Sequence, residues 1–271
     1  MKPLLFALSL TLLPIGAAAQ ERPVTESRPL AAPQSGRHEV ALFPVVPMIN
    51  SGTSVQVGAA AIYGFRISEG FALQLMPLLS YVTSRTTERE LINTGRRQPS
   101  EPVEPLPHYG AIAGIELSPT LGGELSFNDG PQVRFSLLIN AGVGAASSQV
   151  VLRRETPGCT GDTCKPAAYG SAGVKPIAAA GIGVRVELGT HVAIRLELRD
   201  LVHTTKVSRI NGCALSDLDS LERGGATGSA SCDTSAFVNA EDRPLARKLL
   251  EESGSEIRHV ATVFGGVSFL F

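Results

Sequence analysis

Tryptophan is absent from the 271 residues and aromatic side chains make up only 5%. That argues against a wall with heavy aromatic girdles. An excess of one charge is absent too. Lys plus Arg number 24 and Asp plus Glu 25, so no overall charge recruits nucleic acid or an anionic surface. Charged residues reach 18%, below the roughly 25% of an ordinary soluble domain. Beyond the amino-terminal stretch, no apolar run approaches the roughly 18 residues that a membrane-crossing helix needs. No segment repeats with a period of 20 to 50 residues. The cysteines lack a second Cys-x-x-Cys or a nearby histidine, so no metal and no cofactor are expected. None of the histidines sits in a nucleophile motif, so no catalytic residue is expected.

What is present begins with an export signal. Lys2 gives a positive start, Leu4 to Ile15 an apolar core, and Ala17-Ala18-Ala19 a small-residue cleavage site. Residues 1–19 are therefore expected to be a signal peptide. No cysteine follows the cleavage site, which argues against a lipid anchor. Residues 20–37, with Pro23, Pro29 and Pro33, lack periodicity and read as a disordered periplasmic leader.

From residue 38 the chain alternates apolar and small or polar residues in steps of two, the period of a strand. Eight strands are expected: 38–48, 54–66, 71–82, 108–117, 132–145, 174–188, 192–203 and 257–271. Pro44 and Pro47 place the first near an edge or rim. Asp200 breaks the phase of the seventh and suggests a bulge. Gly122-Gly123 and Asn128-Asp129-Gly130 flank a short ribbon near 124–127. Alternate connections are long (83–106, 147–170 and 210–255), and the last holds a helix, Pro244 to Glu252, with proline in its first turn.

Alternation does not say which face is wet, since a soluble lipocalin-like barrel would put the apolar face inside. Here the polar face is rich in glycine and its few charges are mixed in sign, unlike a solvated exterior. The chain also ends on an apolar strand, Ile257 to Phe271, which would fray unless something paired it. In an outer-membrane barrel the last strand pairs with the first and no edge remains. The expected fold is all-β: an eight-stranded antiparallel transmembrane up-and-down β-barrel over 38–271, with short periplasmic turns and long extracellular loops. The tail also resembles an outer-membrane assembly signal, carried by Gly266, Phe269 and Phe271, although Gly265 stands where a polar residue is usual.

Three stretches extend that resemblance: GIELSPTLGG over 114–123 followed by FSLLINAGVG over 135–144, and RLELRDLV over 195–202. With the terminal Phe they resemble small outer-membrane β-barrel proteins, and more narrowly the myxobacterial-type outer membrane beta-barrel domain family. The resemblance implies residence in the outer membrane of a Gram-negative bacterium. It also implies contact with outer-membrane lipid and the barrel-assembly machinery. Some members are tied to envelope or surface-motility assemblies, and no catalytic residues carry over.

Two groups of residues are candidate sites. Cys159 with Cys164, and Cys213 with Cys232, are expected to form disulfides bracing surface loops, with pairing across the two loops left open. Arg185, Glu187, Arg195, Glu197 and Arg199 are expected to face the lumen, either as a salt-bridged plug or as the lining of a channel. His38, His108, His191, His203 and His259 are scattered. The expected role is structural or adhesive, through the extracellular loops and an envelope protein partner. The alternatives are a narrow pore or small-ligand transporter and, behind it, a lipid-modifying enzyme.

Overall fold

The computed structural model describes residues 37–49, 54–68, 70–84, 94–96, 103–119, 122–125, 133–154, 167–237 and 240–271. The expected signal peptide, most of the leader, and Cys159 and Cys164 lie outside these residues.

Among the described residues nine strands form: β1 (His38–Ile49), β2 (Ser54–Ser68), β3 (Phe71–Ser84), β4 (Val103–Leu117), β5 (Gly122–Leu125), β6 (Val133–Arg153), β7 (Ala168–Leu188), β8 (Val192–Thr204) and β9 (Ile257–Leu270). Eight of them close an antiparallel, up-and-down ring. β4 pairs with β6 and β9 with β1. The short β5 pairs with the start of β6, on the line that β4 has just left. The seam between β1 and β9 is bonded to the last residue. The His38 N–H donates to the Phe271 carbonyl at 3.0 Å, and the Phe271 N–H donates back at 3.0 Å.

Partner residues can be followed once around the ring. Val260 faces Leu201, then come Ala179, Gly142, Gly114, Gln74, Gly64, Glu39 and finally Leu270. The circuit ends on β9 ten residues from where it began. With eight strands, a stagger of ten tilts each strand by about 40° and leaves an interior just wide enough for side chains. Ten residues then cover about 25 Å along the barrel axis.

Small residues permit this closure at the seam. A Cβ on Gly266 would lie 2.1 Å from the Leu42 carbonyl oxygen of the neighbouring strand. The glycine of the expected assembly signal therefore has a packing role within the chain itself.

Several expectations need correction. Asp200 is not in a bulge: the ladders of β8 with β7 and β9 run through it without a shift, and it lies on the outer face. β1 is not an edge. Its register slips between Phe43 and Val46 against β2 and between Leu42 and Val45 against β9. Pro44, which has no N–H to donate, falls in that slip. The first two long connections are shorter than expected, because β4, β6 and β7 extend past the alternating core of their segments, whereas the third runs from 205 to 256 and is longer. The ribbon begins at Gly122, two residues before the expected start. Gln132 lies outside the described residues.

Among the described residues, the connection from β8 to β9 contains two α-helices, α1 (Leu215–Glu222) and α2 (Asp242–Glu252), and a short 3-10 helix, Thr234–Phe237. α2 starts two residues before Pro244, and α1 is a helix where a loop is expected. Both helices pack on the inward face of the extended β6–β7 hairpin. Val150, Leu152 and Ala172 meet Val207, Ile210, Leu218, Ala246 and Leu249 there. This connection forms a cap over the long-loop end of the barrel, its upper end. Gly170 makes the contact possible, since a Cβ there would lie 2.7 Å from Ile210 Cγ2.

Gly266→Val should strain the closing seam and cost about 1–3 kcal/mol. Urea unfolding followed by circular dichroism should show a lower midpoint. An unchanged midpoint would mean that β1 and β9 tolerate a wider separation.

Candidate functional site

The inward face of the ring is layered. At the lower end, by the short turns and the seam, lie charges. Above them comes an apolar tier that includes Phe43, Ile62, Met76, Ile112, Leu201 and Phe264. The cap core stands above both.

All five residues of the expected lumen cluster face inward and are nearly excluded from solvent. Arg195, 1% exposed, is the hub. Its Nη1 donates to Glu39 at 2.8 Å and its Nε to Glu197 at 2.7 Å, while Nη2 donates to Glu116. Arg199 reaches Glu197 through Nε at 2.8 Å and Nη2 at 2.6 Å. Arg185 pairs with Glu39 at 3.0 Å, Glu116 at 3.4 Å and Glu187 at 3.3 Å. Arg66 pairs with Glu39 at 3.4 Å. Neutral amides fill remaining positions: Gln74 Nε2 donates to Glu116, and Asn140 Nδ2 donates to Glu197 at 3.0 Å. The Arg199 guanidinium also lies 5.3 Å from the centre of the Phe264 ring, joining the charged layer to the apolar one.

The expected cluster held three arginines and two glutamates, an imbalance that buried charges cannot sustain. Glu39 and Glu116 add the missing acids and Arg66 joins them, so that these ion pairs link four arginines and four glutamates. Arg66 and Glu116 were legible as inward residues of their strands, but the contacts of Arg66 with Glu39 and of Glu116 with Arg195 were not. Glu39 carried a weaker signal, its place on the first alternating segment.

Cys213 and Cys232 form a disulfide, separated by 19 residues, within the cap. Arg153 Nη1 lies 3.2 Å from Asp242, and both are buried where α2 meets β6. The base of the cap is tied by Thr205, whose hydroxyl donates to the carbonyls of Gly254 at 3.1 Å and Glu256 at 3.2 Å. Arg247 on α2 holds Asp219 and Glu222 of α1, and these acids raise its affinity for its proton. Asp217 starts α1. Its carboxylate accepts the N–H groups of Ala214 at 2.8 Å, Gly228 at 2.9 Å and Ser229 at 3.0 Å. Hydrogen bonds from the Ser229 hydroxyl and then the Ala214 N–H hold Asp217 below the usual carboxylate range.

The histidines are not brought together. His38 Nδ1 lies 2.7 Å from the Tyr63 hydroxyl at the lower rim, and His108 Nδ1 donates to the Ser80 carbonyl at 2.8 Å. His191 contacts Thr190 in the β7–β8 turn. His203 faces inward. His259 faces outward, 2.6 Å from Asp200. Among the described residues, no group of three or more His, Cys, Asp or Glu is arranged to hold a metal.

Gly266, Phe269 and Phe271 all lie along the seam. Phe269 and Phe271 point outward, and the Phe271 ring stacks 6.0 Å from His38. No family model matches this chain, and no curated protein is significantly similar to it.

Arg195→Leu should leave Glu39 and Glu116 short of a partner and cost about 3–5 kcal/mol. Leu196→Ala, on the outer wall beside it, should cost far less. Equal urea midpoints for the two variants would mean that the network carries little stability.

The cap should loosen in acid. Because folding lowers the affinity of Asp217 for its proton, its stabilisation is complete above the unfolded value, about 3.9. It is lost as pH falls through the lower, folded value. Amide exchange over 205–256 should therefore rise below about pH 4, and Asp217→Asn should remove most of that rise. An equal rise in the variant would assign it to other groups.

Proposed function

We propose that this chain is an exported, integral outer-membrane β-barrel with a closed lumen, whose capped end serves a structural or surface-binding role. The observation that carries the reading is the polarity of the wall. Leu196 is 60% exposed and Phe269 45%, whereas Arg195 and Glu197 are each 1% exposed. A barrel folded for water would reverse this order, because exposed apolar patches of such extent are rare on soluble monomers. Hydrocarbon is the solvent that favours it, and a closed ring leaves no strand edge exposed.

Two further features support the membrane reading. The outward apolar residues continue around all eight strands, as a lipid-facing belt requires. The few aromatics also concentrate on this wall. Phe65, Phe135, Phe269 and Phe271 lie toward the lower rim, with Tyr81 and Tyr109 toward the upper one. A weak girdle is present despite the low aromatic content.

The closed lumen favours a structural role over a pore. The ion network fills the lower lumen, the apolar tier lies above it, and the cap packs on the inward face of the β6–β7 extension at the upper end. Function is then left to the loops, as on other rigid scaffolds. The cap, braced by Cys213–Cys232 and held to β6 by Arg153, is the part suited to meet an envelope partner. Insertion would require outer-membrane lipid and the barrel-assembly machinery, for which the seam strand β9 with Gly266, Phe269 and Phe271 is the proposed signal.

Expressed with its export signal, the chain should partition with the outer membrane and migrate differently on gels before and after boiling. Migration unaffected by boiling, together with recovery in the soluble periplasm, would sink the reading. In planar bilayers the purified barrel should show no steady conductance. Regular conductance steps would instead support the pore.

A further inference from the structure

We infer that a notch in the outer wall holds one hydrocarbon chain of a bilayer lipid, a reading that rests on the lipid-facing wall proposed above. The notch has a volume of about 370 Å³ and opens across β1, β2 and β3. Its sides are Leu42 on β1 and Leu79 on β3, and its floor is Ala59 and Ala61 on β2.

The cause is local and lies in the chain. β2 runs Gly58-Ala59-Ala60-Ala61, so neither face of the wall has bulk there. On one flank Pro44 sits in the register slip of β1. On the other, Pro77 of β3 has no N–H to donate, and the β2–β3 pairing steps from Ala60↔Leu78 to Tyr63↔Leu75, passing over Ala61 and Ile62. The two ladders of β2 are thus interrupted within a few residues of each other, beside Ala59 on the β1 side and beside Ala61 and Ile62 on the β3 side. The wall is thin enough that Phe43 and Leu78, members of the apolar tier in the lumen, also line the notch.

The chemistry of the lining selects the occupant. No charged or hydrogen-bonding side chain lines the notch, so nothing in it recognises a headgroup, a peptide or a sugar. It opens directly onto the apolar belt formed by Tyr63, Leu73 and Leu75. The notch is open to the outside of the wall, so an extended alkyl segment can lie in it against the alanines of β2. An unfilled notch would forfeit the dispersion contacts of its lining. A second copy of the chain is the competing occupant, and it would have to insert a side chain here.

The absence of Trp from the chain gives a clean probe. One Trp is placed beside the notch (Leu75→Trp) and another on a distant part of the wall (Val143→Trp). Each barrel is titrated in dodecylmaltoside micelles with dibromostearoyl phosphatidylcholine. The notch Trp should quench saturably, at a lipid fraction at least ten times lower than the Val143→Trp protein requires. Adding Ala61→Leu to Leu75→Trp should abolish the difference while boiling-sensitive migration persists. Equal quenching at the two sites, or saturable quenching that survives Ala61→Leu, would overturn the notch while leaving the barrel intact. Cross-linking of two chains through Ala61→Cys would overturn it in favour of self-association. If none of the proteins enters micelles or responds to boiling, the membrane reading itself fails, and the notch with it.

Discussion

Closure of β9 on β1 is the constraint that organises the whole molecule. With eight strands and a stagger of ten, the interior has room for side chains and little else. Whatever points inward must then be satisfied by other inward groups. The charges at the lower end consequently converge on Arg195, the apolar residues above them pack on Phe43 and Phe264, and small residues occur where strands approach closely. The same closure gives the last residues of the chain backbone partners, which an open sheet would leave unpaired.

A buried network of four arginines and four glutamates is weak evidence for added stability. Well-packed apolar residues of similar volume often do as well or better, whereas removing one partner from such a network is costly. Its clearer effect is on uniqueness. A slip of two residues between β8 and β9 would keep every face correct yet move Arg195 and Glu197 away from Glu39 and Glu116 on distant strands. The register that brings these ions together is the one in which the seam closes.

The cap obeys different physics. Its core is small, so it depends on a disulfide, a buried ion pair and the capping carboxylate of Asp217. It packs on strand extensions that project beyond the alternating part of β6 and β7. Those extensions are obscured in the sequence because both their faces are covered near the cap, which erases the period-two signal from Val150 to Arg153. The short helix α1 was equally hidden. Eight residues give too little periodicity to read, and its start is marked by Asp217 reaching back to Ala214 rather than by a side chain at the cap position.

The sequence by itself determined the eight segments, their order, the side on which connections are long, and which residues share a face. Period two is a local property of the backbone and survives any arrangement of the strands. It could not decide which face is enclosed, because turning the sheet inside out preserves every alternation. Nor could it join Glu39, Glu116 and Arg195, which lie on three strands and meet only after the ring has closed. Those were decided by tertiary structure, where stagger and diameter bring distant inward residues to one level and leave the apolar face outside.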